Sequence, residues 1–425
     1  MKESEKIKLF GRKGSSEGFE IREFLQRHVV AFDWIEIETS EECLSEFGTP
    51  EVNNVRFPVF QAKDGSQIFQ PSVRDVADKL GYIATPRLKE YDLSIYGAGP
   101  AGLSAAVYAA SEGLSTVVIE RSAVGGQAGT SSLIENYMGF PSGISGAELA
   151  ERAREQALKF GAEIILMREG VKAEFVVGRI QADLADGSTM LAKANICATG
   201  VEYRRLNLPE EEQFLGKGLF YGAGASEAPL CKGQTIYVVG GANSAGQAAM
   251  HFSEYADKVV LLVRGSSLKA TMSQYLLERV VDHPKIEVWF RSEVTKLEGG
   301  EELSSISVLD KESGIEQNLE ARRLFVAIGG NPNTDWAKDT AILRDGAGYL
   351  VTGPDLLKYE GALSEWPLKR QPYYLETSIP GSFAAGDVRH SSVKRAVTAA
   401  GEGAMAITFV HRYLEEDFDS LSSAI

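Results

Sequence analysis

Tyr91-Asp-Leu-Ser-Ile-Tyr-Gly97-Ala-Gly99-Pro100-Ala101-Gly102 decides the fold class of this 425-residue chain. An apolar run enters a glycine turn and continues into an alanine-rich helical stretch, and a second apolar run, STVVIE, ends in Glu120. That is one strand-helix-strand unit of dinucleotide-binding length. Gly97 permits the tight turn, Gly99 lets backbone approach a pyrophosphate, and Gly102 lets helix and strand pack closely. The helix N-terminus faces the phosphate charge. Glu120 is placed to accept hydrogen bonds from a ribose, with Arg121 beside it and Pro100 and Ala101 in the phosphate turn.

The pattern recurs downstream. Strand TIYVVG leads to Gly240-Gly241-Ala242-Asn243-Ser244-Ala245, then a helical stretch and the strand KVVLLVR. Ala242 replaces the second fingerprint glycine, so its methyl stands where a pyrophosphate approaches. Strands and helices alternate from about residue 90 onward, which predicts α/β architecture with two doubly wound dinucleotide-binding domains.

Upstream, residues 1–82 read as strand (KIKLF), helix (roughly 19–28), strand (FDWIEIE), hairpin (FPVFQAKDGSQIF) and helix (SVRDVADKLG). The polar stretch IATPRLKE then forms a linker over 83–90. The order resembles a glutaredoxin or thioredoxin domain, with Pro58 at that fold's cis-proline. Such domains open their first helix with Cys-x-x-Cys; here Lys13-Gly14-Ser15-Ser16-Glu17-Gly18 offers no thiol.

The longer remainder resembles the bacterial thioredoxin reductases over roughly residues 90–415. The resemblance is carried by the first fingerprint, Gly125-Gly126-Gln127, IENYMGFPSGISGAEL, Ala198-Thr199-Gly200, and Gly386-Asp387-Val388 followed by VTAAGEGAMAI. It implies an FAD domain in two parts, 91–204 and 326–425, with an NADPH domain over 205–325 inserted between them. It further implies that Gly126, Gln127 and Asn136 lie along the flavin and that Asp387 binds its ribityl chain. The helix entered through Lys394, Arg395 and Ala396 would aim its positive end at the flavin. Run FVAIGGNPNTDW, with Ile328 and Gly329, resembles the strand returning to the FAD domain. In the second domain Arg264 and Lys269 remain to read a 2′-phosphate, and the absence of an acidic residue there favours NADPH over NADH.

The resemblance also marks a departure. The family's Cys-x-x-Cys-Asp falls on Ala223-Gly224-Ala225-Ser226-Glu227, so Ala223 and Ser226 stand in place of the redox cysteines. Glu227 is the one acid left there, a proton donor near the flavin or a solvated loop carboxylate. The three cysteines, Cys43, Cys197 and Cys231, are unpaired in spacing. Neither a disulfide framework nor a metal site is expected. His390 is read as near the flavin or on a surface loop. Trp366, Tyr373 and Tyr374, in an insertion between Pro354 and Glu376, are read as a flavin cover or as packing.

The net charge of −15 and the lack of a basic block exclude nucleic acid as a partner. With 44% apolar and 24% charged residues and no long apolar run, a soluble cytoplasmic protein without membrane contact is expected. Expected partners are a nicotinamide nucleotide, a redox protein docked through the N-terminal domain, and a second copy of the chain, a homodimer being implied by the resemblance. The expected function is hydride transfer from NADPH to FAD, then onward to ferredoxin or flavodoxin, oxygen, a quinone or a partner disulfide. The rival is a flavin-bound redox sensor or scaffold with little turnover.

Overall fold

The computed structural model describes residues 6–12, 15–131, 133–176, 178–222, 227–359, 361, 363–364 and 366–416. The chain divides into two compact units. One comprises residues 1–81, 130–134 and 203–329, and the other residues 82–129, 135–202 and 330–425.

In the first unit the N-terminal segment runs β1 (Ile7–Gly11), α1 (Ser16–Arg27), β2 (Phe32–Glu36), α2 (Ser40–Phe47), β3 (Val59–Gln61), β4 (Gln67–Phe69) and α3 (Val73–Lys79). The sheet order is β2-β1-β3-β4. Strands β1 and β2 are parallel, while β3 runs antiparallel to both β1 and β4. The Phe57-Pro58 peptide is cis. Helix α1 begins three residues before the expected start, because the Ser15 hydroxyl accepts from the Gly18 amide and caps it. Helix α2 was not expected, yet Thr39 and Glu42 close a reciprocal capping box at its start.

Residues 203–329 form a parallel sheet in the order Leu219–Tyr221, Leu324–Val326, Thr235–Val239, Lys258–Val263, Ile286–Phe290. Its central strands are buried along nearly their whole length, as β-branched runs covered by helices must be. A three-stranded antiparallel sheet, Ser292–Gly299, Leu303–Asp310 and Glu316–Glu320, adjoins it in sequence and departs from the expected alternation.

The second unit carries parallel strands in the order Glu163–Ile165, Thr116–Ile119, Glu90–Tyr96, Thr189–Cys197, with Ser382–Ala384 also parallel to the last. Arg179–Leu184 and Gly170–Val176 extend the sheet antiparallel. The helices Pro100–Ser111 and Ala396–Leu414 lie against each other so tightly that a Cβ at Gly403 would sit 2.1 Å from the Ala101 carbonyl oxygen. Among the described residues no helix is long and apolar enough to cross a membrane.

Candidate functional site

In the second unit four separate loops converge on the 97–102 turn. Gly97 has φ +103°, and a Cβ there would lie 2.3 Å from the Ala198 carbonyl oxygen. At Gly102 it would lie 1.8 Å from the Gly97 oxygen. Both positions therefore exclude a side chain for steric reasons. The Gly125 amide donates to the Ala98 oxygen at 2.7 Å, which brings Gly126 opposite Gly99. Gly99 itself faces open space, its nearest neighbour to an added Cβ being the Gly126 Cα at 3.9 Å.

Gly386 approaches Ala101 in the same way, so the loop bearing Asp387 sits at the N-terminal turn of helix Pro100–Ser111. Thr199 donates through its hydroxyl to the Asn333 carbonyl at 2.8 Å, and the Gly200 carbonyl accepts from the Asn333 amide. Gln127 donates to the Val201 oxygen at 2.7 Å. Asn136 lies exposed in the turns after Ile134.

Two features suit this cradle to a nucleotide. Ser15, Thr39, Ser72 and Ser145 cap four helices elsewhere with their own hydroxyls, whereas helices Pro100–Ser111 and Ala396–Leu414 have no side-chain cap. Their first-turn amides are left for an outside acceptor. Glu120, almost fully buried, accepts from the amides of Ala98 and Ser122, each at 2.8 Å. That fixes the carboxylate and leaves lone pairs for a ribose hydroxyl. Arg121 pairs with Glu202 at 2.5 Å.

Burial pushes the Asp387 carboxyl above its ordinary value, against the pull of Lys394 and with Glu402 adding to the rise. Lys394 donates to the Asp387 carbonyl oxygen at 2.8 Å and lies 4.2 Å over the Tyr349 ring, while Arg395 is exposed at the cap. Sequence reasoning missed Glu402. Buried within the helix, it accepts from the Gly386 amide at 2.7 Å and from Arg389 at 2.6 Å, which holds the Asp387 loop. The signal was one acid amid the small residues of VTAAGEGAMAI.

The second cradle, in the first unit, repeats this construction. Gly240 has φ +147°, and a Cβ there would meet the Ala327 oxygen at 2.5 Å and the Ala245 methyl at 2.8 Å. Helix Asn243–Ser253 also lacks a side-chain cap. Asn243 turns its amide oxygen to the Ser273 amide at 2.8 Å, and the Thr271 hydroxyl donates to the Gly241 oxygen. Ala242 is exposed in extended backbone, φ −113°, so the turn accepts alanine without strain. Ser244 is exposed beside it. Arg264 and Lys269 stand exposed just beyond strand Lys258–Val263, and neither side chain makes an ion pair among the described residues. Ile328 and Gly329 follow strand Leu324–Val326, and Gly329 takes φ +84°.

Glu227 departs from expectation. It is not a solvated loop carboxylate: it is 2% exposed and pairs with Arg22 of α1 at 2.9 Å, with Arg323 at 3.9 Å on its other oxygen. Burial pushes its carboxyl up and the two arginines oppose this. Ala223 and Ser226 lie outside the described residues.

The family model for "Pyridine nucleotide-disulphide oxidoreductase" matches residues 91–403, which takes in both cradles. The chain belongs to the pyridine nucleotide-disulphide oxidoreductase family. Over 331 residues it is 35% identical to thioredoxin reductase from Mycolicibacterium smegmatis, covering 77% of this chain and 97% of that one. It is 37% identical over 329 residues to NADPH-dependent thioredoxin reductase 3 from Arabidopsis thaliana, spanning 75% of this chain but only 58% of that protein. The crystal structure of Lactococcus lactis thioredoxin reductase matches with a TM-score of 0.67 at 27% identity, over 76% of this chain and 99% of that one. This family member is thus a thioredoxin reductase-like flavoprotein oxidoreductase.

Against that family background the cysteines stand out. All three are buried, and burial raises the Cys197 and Cys231 thiols to about 12. Cys231 donates to the Glu227 carbonyl at 3.2 Å and is core. Trp366 and Tyr373 are packed: Trp366 donates to the Arg370 carbonyl, and Tyr373 stacks on Phe409 at 5.5 Å beneath the Arg370 guanidinium. Tyr374 is exposed next to Arg389. His390 pairs with Asp345 at 2.6 Å.

Proposed function

We propose that this protein is an NADPH-dependent FAD oxidoreductase that passes electrons to an acceptor other than a dithiol of its own chain. The observation carrying this reading is the coexistence of two glycine-walled cradles at uncapped helix N-termini with three cysteines that are all buried. Bound FAD would supply the two-electron step from a nicotinamide.

The chain's own residues account for the binding. Gly99 and Gly126 leave room for the pyrophosphate, and the first-turn amides of helix Pro100–Ser111 neutralise its charge. Glu120 orients a ribose, and Asp387, steadied by Glu402 and Arg389, faces the remaining chain of hydroxyls. In the second cradle Arg264 and Lys269, which make no ion pair among the described residues, offer two cations to a 2′-phosphate. A relative's name, NADPH-dependent thioredoxin reductase, supports the same nucleotide. Thiolates are the attacking species in disulfide exchange, and thiols held near 12 are protonated at neutral pH. The acceptor therefore belongs among ferredoxin or flavodoxin, oxygen, a quinone or a disulfide on a partner.

We further infer that residues 1–82 are a thioredoxin-fold domain serving without thiol chemistry. The sheet order β2-β1-β3-β4, antiparallel β3 and the cis bond before Pro58 support this.

Steady-state oxidation of NADPH and NADH with oxygen, a quinone and a flavodoxin as acceptors tests the reading. Turnover with at least one, unaffected by replacing all three cysteines with alanine, is expected. No turnover with any would sink it and favour a flavin-bound sensor.

A further inference from the structure

Helix α1 is buried on two sides. Ile21 and Leu25 are buried, and the helix packs on β1 and α3. Ser16, Phe19, Arg22, Glu23 and Arg27, spaced three and four apart, form a second face. Ser16, Phe19 and Arg22 meet residues 203–329 of the same compact unit. Ser16 sits against Gly216, where an added Cβ would come within 3.2 Å of the serine Cβ. Phe19 lies 5.0 Å from Phe220, which stacks on Phe325, so that the ring extends the apolar core of the nucleotide cradle. Arg22 reaches Glu227 at 2.9 Å while its guanidinium lies 4.5 Å over the Trp34 ring. The charges of Glu23 and Arg27 act in opposite directions on the Tyr203 hydroxyl.

The chemistry is that of a lasting interface. Passing contacts keep their charges at a wet rim, whereas here an arginine and a carboxylate, 8% and 2% exposed, occupy the middle beside an aromatic anchor. Such a pair is tolerable only while both partners stay together. We propose that the face formed by Gly216, Phe220 and Glu227 is a docking surface whose occupant is α1 of the same chain, and that this permanent docking closes the face to other proteins. A redox protein would therefore have to meet this one elsewhere. The inference does not rest on the proposed electron transfer.

The test uses the full chain with a site-specific protease sequence inserted after exposed Thr85. After cleavage, the two fragments are run on gel filtration at micromolar concentration. Co-elution is expected for the parent. Glu227→Gln leaves Arg22 buried opposite a neutral amide and should weaken the association by about 100-fold or more, enough to separate the fragments. Phe19→Glu attacks the same surface from the other side and should do likewise, with far-ultraviolet circular dichroism reporting that each variant is folded. Separation of the parent fragments, or co-elution in both folded variants, would overturn the proposal. Failure of the electron-transfer reading would show instead as fragments that stay together and do not oxidise NADPH.

Discussion

Replacing Glu402 with glutamine tests the central element of the flavin cradle. The carboxylate accepts from the Gly386 amide at 2.7 Å, from Arg389 at 2.6 Å and from the Ser392 hydroxyl at 3.2 Å, and it is about as buried as Arg389 itself. Glutamine preserves volume and one acceptor but leaves a guanidinium buried without its counter-charge. Breaking a buried pair from one side costs about 3–5 kcal/mol. For a unit of roughly two hundred residues, that corresponds to a fall in Tm of about 10 °C, at roughly 2–4 °C per kcal/mol. Because the Gly386 amide positions Asp387, FAD retention should fall in parallel. The double variant Glu402→Leu with Arg389→Met removes both charges and should recover much of the loss. Differential scanning fluorimetry and flavin fluorescence after gel filtration read both effects. A Tm within about 2 °C of the parent for Glu402→Gln, with flavin retained, would refute the reasoning.

Three further outcomes are expected. Gly102→Ala places a methyl 1.8 Å from the Gly97 oxygen, a backbone atom that cannot turn aside, so the variant should lose FAD; near-stoichiometric flavin in the purified variant would argue against this cradle. Arg264→Ala with Lys269→Ala should raise KM for NADPH by about 10-fold to 100-fold while leaving NADH unchanged, since charge-assisted hydrogen bonds contribute about 1.5–3 kcal/mol; equal effects on both nucleotides would contradict the assignment. Iodoacetamide should label none of the cysteines at pH 8, because Cys43 is buried and the Cys197 and Cys231 thiols are held near 12. Since these two are raised above their unfolded value, their contribution to stability is complete below about pH 8.5 and is lost as pH climbs towards 12, so labelling should appear on alkaline unfolding.

The two cradles were legible because each is local. Gly97, Gly99, Gly102 and Glu120 lie within one strand-helix-strand unit, and the backbone clash that demands glycine at 97 and 102 leaves its mark in the sequence. Helix α2 was equally legible in its Thr39-x-x-Glu42 box and went unread. The antiparallel strands after Phe290 were not expected, since their alternation is interrupted by register shifts between Val294 and Lys296 and between Glu298 and Gly299. Glu227 shows what spacing cannot convey. Its partner Arg22 is 205 residues away, and periodicity reports that a face is buried without naming what covers it. The same holds for Phe19, whose contact with Phe220 lies about two hundred residues away in sequence and leaves no local pattern.

Anaerobic rapid mixing of the purified flavoprotein with NADPH, and separately with NADH, tests the central claim most directly. The account predicts bleaching of the flavin absorbance by NADPH, more slowly by NADH, with no new thiol detectable in the native protein afterwards. Absence of bleaching with either nucleotide, or bleaching accompanied by the appearance of two reactive thiols, would contradict it.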